Sequence, residues 1–322
     1  MGGRLLAKFG ARRLQTEEYM EVQNNLISQL EKICDLKFFT IPQCSDKLSH
    51  GDIDICVDES IKNIRTLITS NFVTNGTGQN DDIFSFVFQC EFQVDIICSP
   101  FPEFARNSLA YNDIISVVFG SICKMNGLKL RKNGLFFINP ITNNDILVTS
   151  RWDDVLNLFG IDEEIVNESK EGVFQFVCST PFFNRARFIH ESLRKTNIRA
   201  KRKRPIQNEF LNYVRQSQNS GGVLSSKVLH HKLLSIDGFS ERLDDDNMQH
   251  HNLVIMNNLM KTKFSSEMII NLTGLKGKEL GDFIKRFKRS KGEDFHHWLN
   301  ISSEDQIRSD IISFKKESFH EK

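Results

Sequence analysis

Three aspartates carry the spacing with the most chemical content. Asp52 and Asp54 alternate with Ile53 and Ile55 in Ser49-His50-Gly51-Asp52-Ile53-Asp54-Ile55, and Asp95 follows forty-one residues later in Val94-Asp95-Ile96-Ile97. Acids two residues apart on a strand project to one side of it. A third joins them if the segments Ile53–Val57 and Phe92–Ile97 are paired strands. Converging carboxylates of this kind hold Mg²⁺ or Mn²⁺, and the chemistry they serve is phosphoryl transfer from a nucleoside triphosphate. There the ions neutralise the phosphates, activate an attacking hydroxyl and stabilise departing pyrophosphate. The competing reading of Asp-x-Asp is solvated alternation on an edge strand; Gly51 in front and the apolar-flanked Asp95 behind favour the metal site.

The elements that must position these acids are readable from periodicity. Apolar residues at three- and four-residue steps predict a helix over 15–36, with Thr16 as its N-cap and Glu17 and Glu18 suited to its positive end. Residues 37–41 are extended, 60–70 are helical, and 82–89 with 91–98 form two β-runs joined by a tight turn. A helix over 109–126 stops at Gly127, 135–138 and 146–148 make a small hairpin, and Ser150 caps a helix running to Phe159. Residues 1–160 therefore read as an α+β domain, a mixed sheet with flanking helices. Beyond 185 the β signal fades, and helices are expected at 207–214, 248–260, 279–287 and 304–314. Residues 161–322 read as a helical, basic domain with a joint at 216–222.

The 322 residues are 39% hydrophobic and 26% charged, as in a globular chain of two-domain size. No stretch approaches the roughly 18 uninterrupted apolar residues of a membrane span, so no membrane role is expected. The basic start MGGRLLAKFGARRL lacks the apolar core of a secretory signal, and Leu6 breaks the Gly2 myristoylation pattern. An intracellular protein is expected, cytoplasmic first and nuclear second. Seven cysteines, an odd number without a CxxC pair, read as reduced core thiols, and the three adjacent histidine pairs lack zinc-site spacing.

The net charge of +1 conceals an asymmetry. Residues 1–184 carry 16 Lys+Arg against 24 Asp+Glu, whereas 185–322 carry 26 against 17. An acidic half beside a basic half is the pattern of a divalent-metal site next to a polyanion-binding surface. The basic excess concentrates at Lys201, Arg202, Lys203 and Arg204, which also fit a solvated loop or a nuclear signal, and between Lys276 and Lys291, where Lys276, Lys278, Lys285 and Arg286 are the candidate nucleic-acid contacts. In Thr273–Gly281 the glycines at 274 and 277 free backbone amides before a helix, an arrangement suited to phosphate; the alternative is that Gly277 and Gly281 permit close helix packing. Phe295, His296, His297 and Trp298 either stack bases or close the core, with core closure the stronger reading for Trp298. At the start of the 109–126 helix, Tyr111, Asn112 and Asp113 either contact a nucleotide's base or sugar or serve as an N-cap.

The segment Ser49–Asp54 with the later Asp95 resembles the nucleotidyltransferase superfamily that includes DNA polymerase beta, poly(A) polymerases and CCA-adding enzymes, whose signature is Gly-Ser, a spacer, Asp-hydrophobic-Asp and a later Asp. The resemblance covers about residues 37–100. It implies that Asp52 and Asp54 are metal ligands and that Asp95 is the third carboxylate, helping to deprotonate the acceptor hydroxyl. Where the family has Gly-Ser, this chain reads Ile41-Pro42-Gln43-Cys44-Ser45-Asp46-Lys47, so that Ser45 offers a hydroxyl and Lys47 a charge to the triphosphate while Pro42 removes an amide donor. Gly51 completes the nucleotide-binding set. The order LAYNDIISVVFGSICKMNGLKLRKNGLFF, RWDDVLNLFGID, STPFFN and KRKRP is also similar to a group of nucleotidyltransferase-like proteins of large DNA viruses and phages, and 273–281 is loosely similar to the tail of bacterial CCA-adding enzymes. Metal-dependent transfer of a nucleoside monophosphate from an NTP to an RNA 3′ end, tRNA among the candidates, is the expectation. The alternatives are a protein or small-molecule hydroxyl as acceptor, and a catalytically inactive nucleic-acid-binding protein that keeps the fold.

Overall fold

The computed structural model describes residues 5–33, 37–60, 63–80, 82–89, 91–161, 168–192, 205–217, 222, 224–292 and 295–319. Short strand β1 (Leu14–Gln15) leads into α1 (Thr16–Ile33), followed by β2 (Phe39–Thr40), β3 (Ser49–His50), β4 (Asp52–Asp58), α2 (Ile64–Asn71), β5 (Thr77–Asn80), β6 (Ile83–Phe88) and β7 (Phe92–Ser99). Strands β2, β4, β7, β6 and β5 lie in that order in one mixed sheet. Only β4 and β7 run parallel, with Asp54 directly opposite Asp95; β6 and β7 form the expected hairpin. Period two sorts the side chains. Ile53, Ile55 and Val57 of β4 and Phe92, Val94 and Ile96 of β7 join a core with Tyr19, Leu26 and Leu30 of α1 and Ile64 and Ile68 of α2. The alternate residues of the same strands face the other way, where Cys56 and Ile97 pack with Ile41 and Ala105.

After the sheet come α3 (Pro102–Ser108), a π-helix (Ile114–Phe119), α4 (Gly120–Met125) and a three-stranded antiparallel meander of β8 (Leu128–Arg131), β9 (Gly134–Ile138) and β10 (Asp145–Thr149). The 135–148 hairpin is thus present with a third strand beside it, while the helix expected over 109–126 is interrupted. Helices α5 (Trp152–Leu158), α6 (Lys170–Ser179), α7 (Arg185–Ser192), α8 (Pro205–Gln216) and α9 (Ser226–Leu233) follow. They share one hydrophobic core with the π-helix and the meander, running from Phe104 and Phe119 to Phe210 and Phe239. For that reason the chain divides into compact units 1–243 and 244–322, not at residue 160. Phe159 packs on Phe182 with ring centroids 5.9 Å apart, the Thr180 hydroxyl donates to the Phe159 carbonyl at 2.6 Å, and Arg242 donates to the Leu147 carbonyl at 2.9 Å.

Helix α10 (Phe239–Lys263) leads into the second unit, which is wholly helical among the described residues: α11 (Ser266–Thr273), α12 (Gly277–Ser290), α13 (Phe295–Ile301) and α14 (Glu304–Phe319). Phe264, Phe283, Phe287, Leu299, Ile307 and Ile311 form its core. No helix among the described residues is long and apolar enough to cross a membrane. The described cysteines, Cys44, Cys56, Cys98, Cys123 and Cys178, are free thiols, as expected.

Candidate metal centre

The alternation of β4 and β7 brings Asp52, Asp54 and Asp95 to one face of the sheet, where a ligand oxygen from each lies within 4.8 Å of the others. Asp52 retains only 9% exposure. Packing three acids at this distance is costly without a cation. The Asp54 carboxyl is pushed well above its ordinary value, first by burial and then by repulsion from Asp52, Asp95 and Asp113. Asp95 is also raised, chiefly by burial, against the pull of the neighbouring Ser85 hydroxyl and the Gln93 amide. A cluster of hard oxygen donors whose charges disfavour one another fits Mg²⁺ or Mn²⁺, and a bound ion there supplies charge neutralisation for phosphate oxygens. Gln93, absent from the sequence-based site, orients Asp95: its side-chain amide donates to both carboxylate oxygens, at 3.0 and 3.1 Å, while its own oxygen accepts from the Leu6 amide at 3.1 Å. The signal was present in Gln93-Val94-Asp95, since residues two apart on a strand share a face.

The motif is held from the N-terminal side. β1 pairs with β3, Leu14 opposite His50, and the Arg13 guanidinium donates to the Ser49 hydroxyl at 3.0 Å and the Ser49 carbonyl at 2.7 Å. Tyr19 stacks on His50 with centroids 3.8 Å apart, and Thr16, expected to cap α1, instead donates its hydroxyl to the Lys47 carbonyl at 2.6 Å. Gly51 is buried between β3 and β4.

In the loop standing in the Gly-Ser position the Ser45 and Lys47 amides are committed to the chain itself. Ser45 N donates to the Glu168 carbonyl at 2.9 Å and Lys47 N to the Cys44 carbonyl at 3.1 Å, while Asp46 accepts from the Lys170 amide at 3.1 Å. The cation remains available as a charge. Lys47 is half-buried and its ammonium is pulled down by that burial, with Asp52 and Asp54 opposing; its Nζ donates to the Gln43 side chain. The exposed Ser45 hydroxyl lies on the same loop.

Opposite the loop, Tyr111, Asn112 and Asp113 adopt φ of 59°, 55° and 66°. Three consecutive left-handed non-glycine residues cost roughly 1–2 kcal/mol each, and such strain persists where surrounding structure over-determines it. The Tyr111 amide is tied to the Pro42 carbonyl at 2.8 Å. Asp113 therefore is no ordinary N-cap, its side chain making no capping bond to the following π-helix; its charge instead bears on Asp54. The Asn112 amide oxygen is buried without a partner.

Of the candidate nucleic-acid contacts, Lys276, Lys278, Lys285 and Arg286 are exposed on or beside α12, and among the described residues none forms an ion pair. Phe283 and Phe287 bury the opposite side of that helix. A Cβ at Gly277 or Gly281 would meet nothing within 4 Å, so neither glycine serves helix packing. Trp298 belongs to the core side, its indole N–H donating to Asp310 at 3.1 Å. Lys201, Arg202, Lys203 and Arg204 lie outside the described residues. No family model and no curated protein sequence matches the chain.

Proposed function

We propose that the chain is a metal-dependent nucleotidyltransferase that moves a nucleoside monophosphate from an NTP to a hydroxyl, with an RNA 3′ end as the acceptor, tRNA included. The observation that carries this reading is the meeting of three carboxylates from two adjacent parallel strands within 4.8 Å. In the reaction a bond forms between the acceptor oxygen and the α-phosphorus, and the bond to pyrophosphate breaks. Asp95, raised by burial, is the group suited to receive the acceptor's proton. Lys47 supplies charge toward the triphosphate, in place of the amides that the Ser45 and Lys47 positions have already spent on the chain itself. Asn112, with its unpartnered amide oxygen, and Asp113 offer acceptors to the sugar or base.

Incubation with each labelled NTP, Mg²⁺ or Mn²⁺ and total RNA, beside the Asp52→Asn/Asp54→Asn double variant, tests the reading. Label in a discrete RNA band with the unmodified protein alone supports it; no label with any NTP overturns it. A protein or small-molecule acceptor would instead place label outside the RNA.

The choice of RNA rests on the exposed basic side of α12. Neutralising phosphates releases counterions, so affinity falls with salt at a log–log slope of about 0.7 per contact for single strands. Lys278→Ala and Lys285→Ala should each weaken RNA binding across sequences and flatten that slope by about one contact. A filter-binding series from low to high KCl measures it, and unchanged slopes would remove α12 from the interface.

A further inference from the structure

A cleft of about 450 Å³ opens in the first unit beside α3, Tyr111 and the start of α5, and none of the three carboxylates of the metal centre lines it. Half of its apolar lining is aromatic: Phe104, Tyr111, Trp152 and Phe176. Phe104 and Tyr111 are buried, whereas Trp152 is partly exposed, wedged edge-on against Phe104 with centroids 5.6 Å apart and against Phe119 at 6.4 Å. Around these rings stand two cations, Arg106 and Arg151, and two anions, Glu103 and Asp153. Glu103, Arg151 and Asp153 are exposed at its rim and Arg106 is half-buried. Among the described residues none of these four forms an ion pair. Arg106 is held elsewhere, its Nε donating to the Thr40 carbonyl at 3.2 Å and one terminal nitrogen to Asn107 at 3.1 Å.

This lining selects a chemical class. A hydrocarbon would cover the half-buried Arg106 and offer nothing to the exposed Glu103, Arg151 and Asp153 at the rim, and a simple anion would face two carboxylates beside its arginines. A flat ring whose edge carries both donors and acceptors satisfies all the groups at once: its faces meet aromatic and guanidinium surfaces, its donors meet carboxylates, and its acceptors meet arginines. We propose that the cleft is a nucleobase-binding site separate from the carboxylate cluster. This goes beyond the proposed transfer reaction, because binding here requires neither metal nor triphosphate. Pro42 and Tyr111 both line the cleft and are bonded to each other, and they open the Lys47 loop and the Asp113 turn respectively. An occupant therefore braces both arms that flank the metal centre. The base belongs either to a free nucleotide or to RNA, the same chemistry from two sources.

The chain has two tryptophans, so Trp298→Phe leaves Trp152 as the sole indole reporter. Titration of that protein with adenosine, guanosine, cytidine and uridine, metal absent, should give saturable quenching for at least one nucleoside. The dissociation constant should rise at least tenfold in Arg106→Ala or in Arg151→Ala, the latter an exposed position that leaves the core untouched, and stay unchanged in the Asp52→Asn/Asp54→Asn background. ATP with Mg²⁺ that displaces adenosine more tightly than ATP alone, only while Asp52 and Asp54 are intact, assigns the base to the nucleotide. Displacement by a single-stranded oligoribonucleotide without metal assigns it to RNA. No quenching by any of the four at millimolar concentration, or equal quenching by ribose, overturns the proposal. Because the nucleosides carry no phosphate, a failed titration and a failed labelling assay are read separately.

Discussion

Asp54→Asn is expected to lower metal-dependent transfer by more than about 100-fold, the loss that follows from disturbing even the groups behind metal ligands, and at the same time to raise the melting temperature of the metal-free protein at pH 7. The two effects have one cause. Asp54 is held well above its ordinary value by burial and by Asp52, Asp95 and Asp113. A carboxyl whose folded pKa exceeds its unfolded one binds more protons in the folded state, so stability is greatest below the unfolded value and is lost as pH rises through the folded one. At neutral pH the ionised group opposes folding, and the uncharged amide of the same size removes that opposition. Mn²⁺ should reverse the ranking. At a hundred times its dissociation constant a ligand stabilises by about 2.7 kcal/mol, which is roughly 5–10 °C at 2–4 °C per kcal/mol for a domain of this size. The unmodified protein gains that shift and Asp54→Asn does not. Thermal melts with chelator and with Mn²⁺ decide it; equal Mn²⁺ shifts in both proteins would mean that the carboxylates hold no metal.

The carboxylate trio was legible because strand alternation is a local rule. Asp54 and Asp95 each sit between apolar residues that must face the α1 side, and Asp52 precedes one, leaving the acids the other face once the strands pair. What surrounds the trio was less legible, for identifiable reasons. Asn112 and Asp113 are among the side chains that accept positive φ, but Tyr111 is not, and three such residues in a row are not announced by their types alone; a tie from the Tyr111 amide to Pro42 in a distant part of the chain holds the turn. The loop 41–47 departs from Gly-Ser in sequence, but the commitment of the Ser45 amide to the Glu168 carbonyl depends on a segment more than a hundred residues away. β8 was missed because Leu128–Arg131 offers a single buried residue, Leu128, on a short strand. The expected boundary at 160 followed the change from mixed to helical elements, and charge composition changes near 184, but the core runs through both positions and the compact units are 1–243 and 244–322. Surface charge records what solvent or a partner meets, whereas phenylalanines from 104 to 239 record a single interior.

Phe210→Ala tests that interior. Phe210 is fully buried, with ring centroids at 5.1 Å from Phe174, 5.1 Å from Phe188 and 6.1 Å from Phe183. Deleting a buried phenylalanine ring costs about 3–5 kcal/mol, the transfer term plus the cavity left behind. Folded proteins hold a margin of only about 5–15 kcal/mol, so the variant should melt far below the unmodified chain. The breadth of the effect carries the argument. If residues 1–160 folded independently, the loss at 210 would leave Trp152 fluorescence and Mn²⁺ binding at normal melting temperature. Because Phe210, Phe119 and Phe159 belong to one core, the Trp152 signal should instead shift with the whole unit. Fragments sharpen the contrast. A fragment ending at residue 243 should melt cooperatively and bind Mn²⁺, whereas one ending at 160 leaves Phe159 without Phe182 and the Phe159 carbonyl without the Thr180 hydroxyl. That shorter fragment should expose apolar surface and fail to melt cooperatively, and a cooperative transition in it would overturn the single-core division.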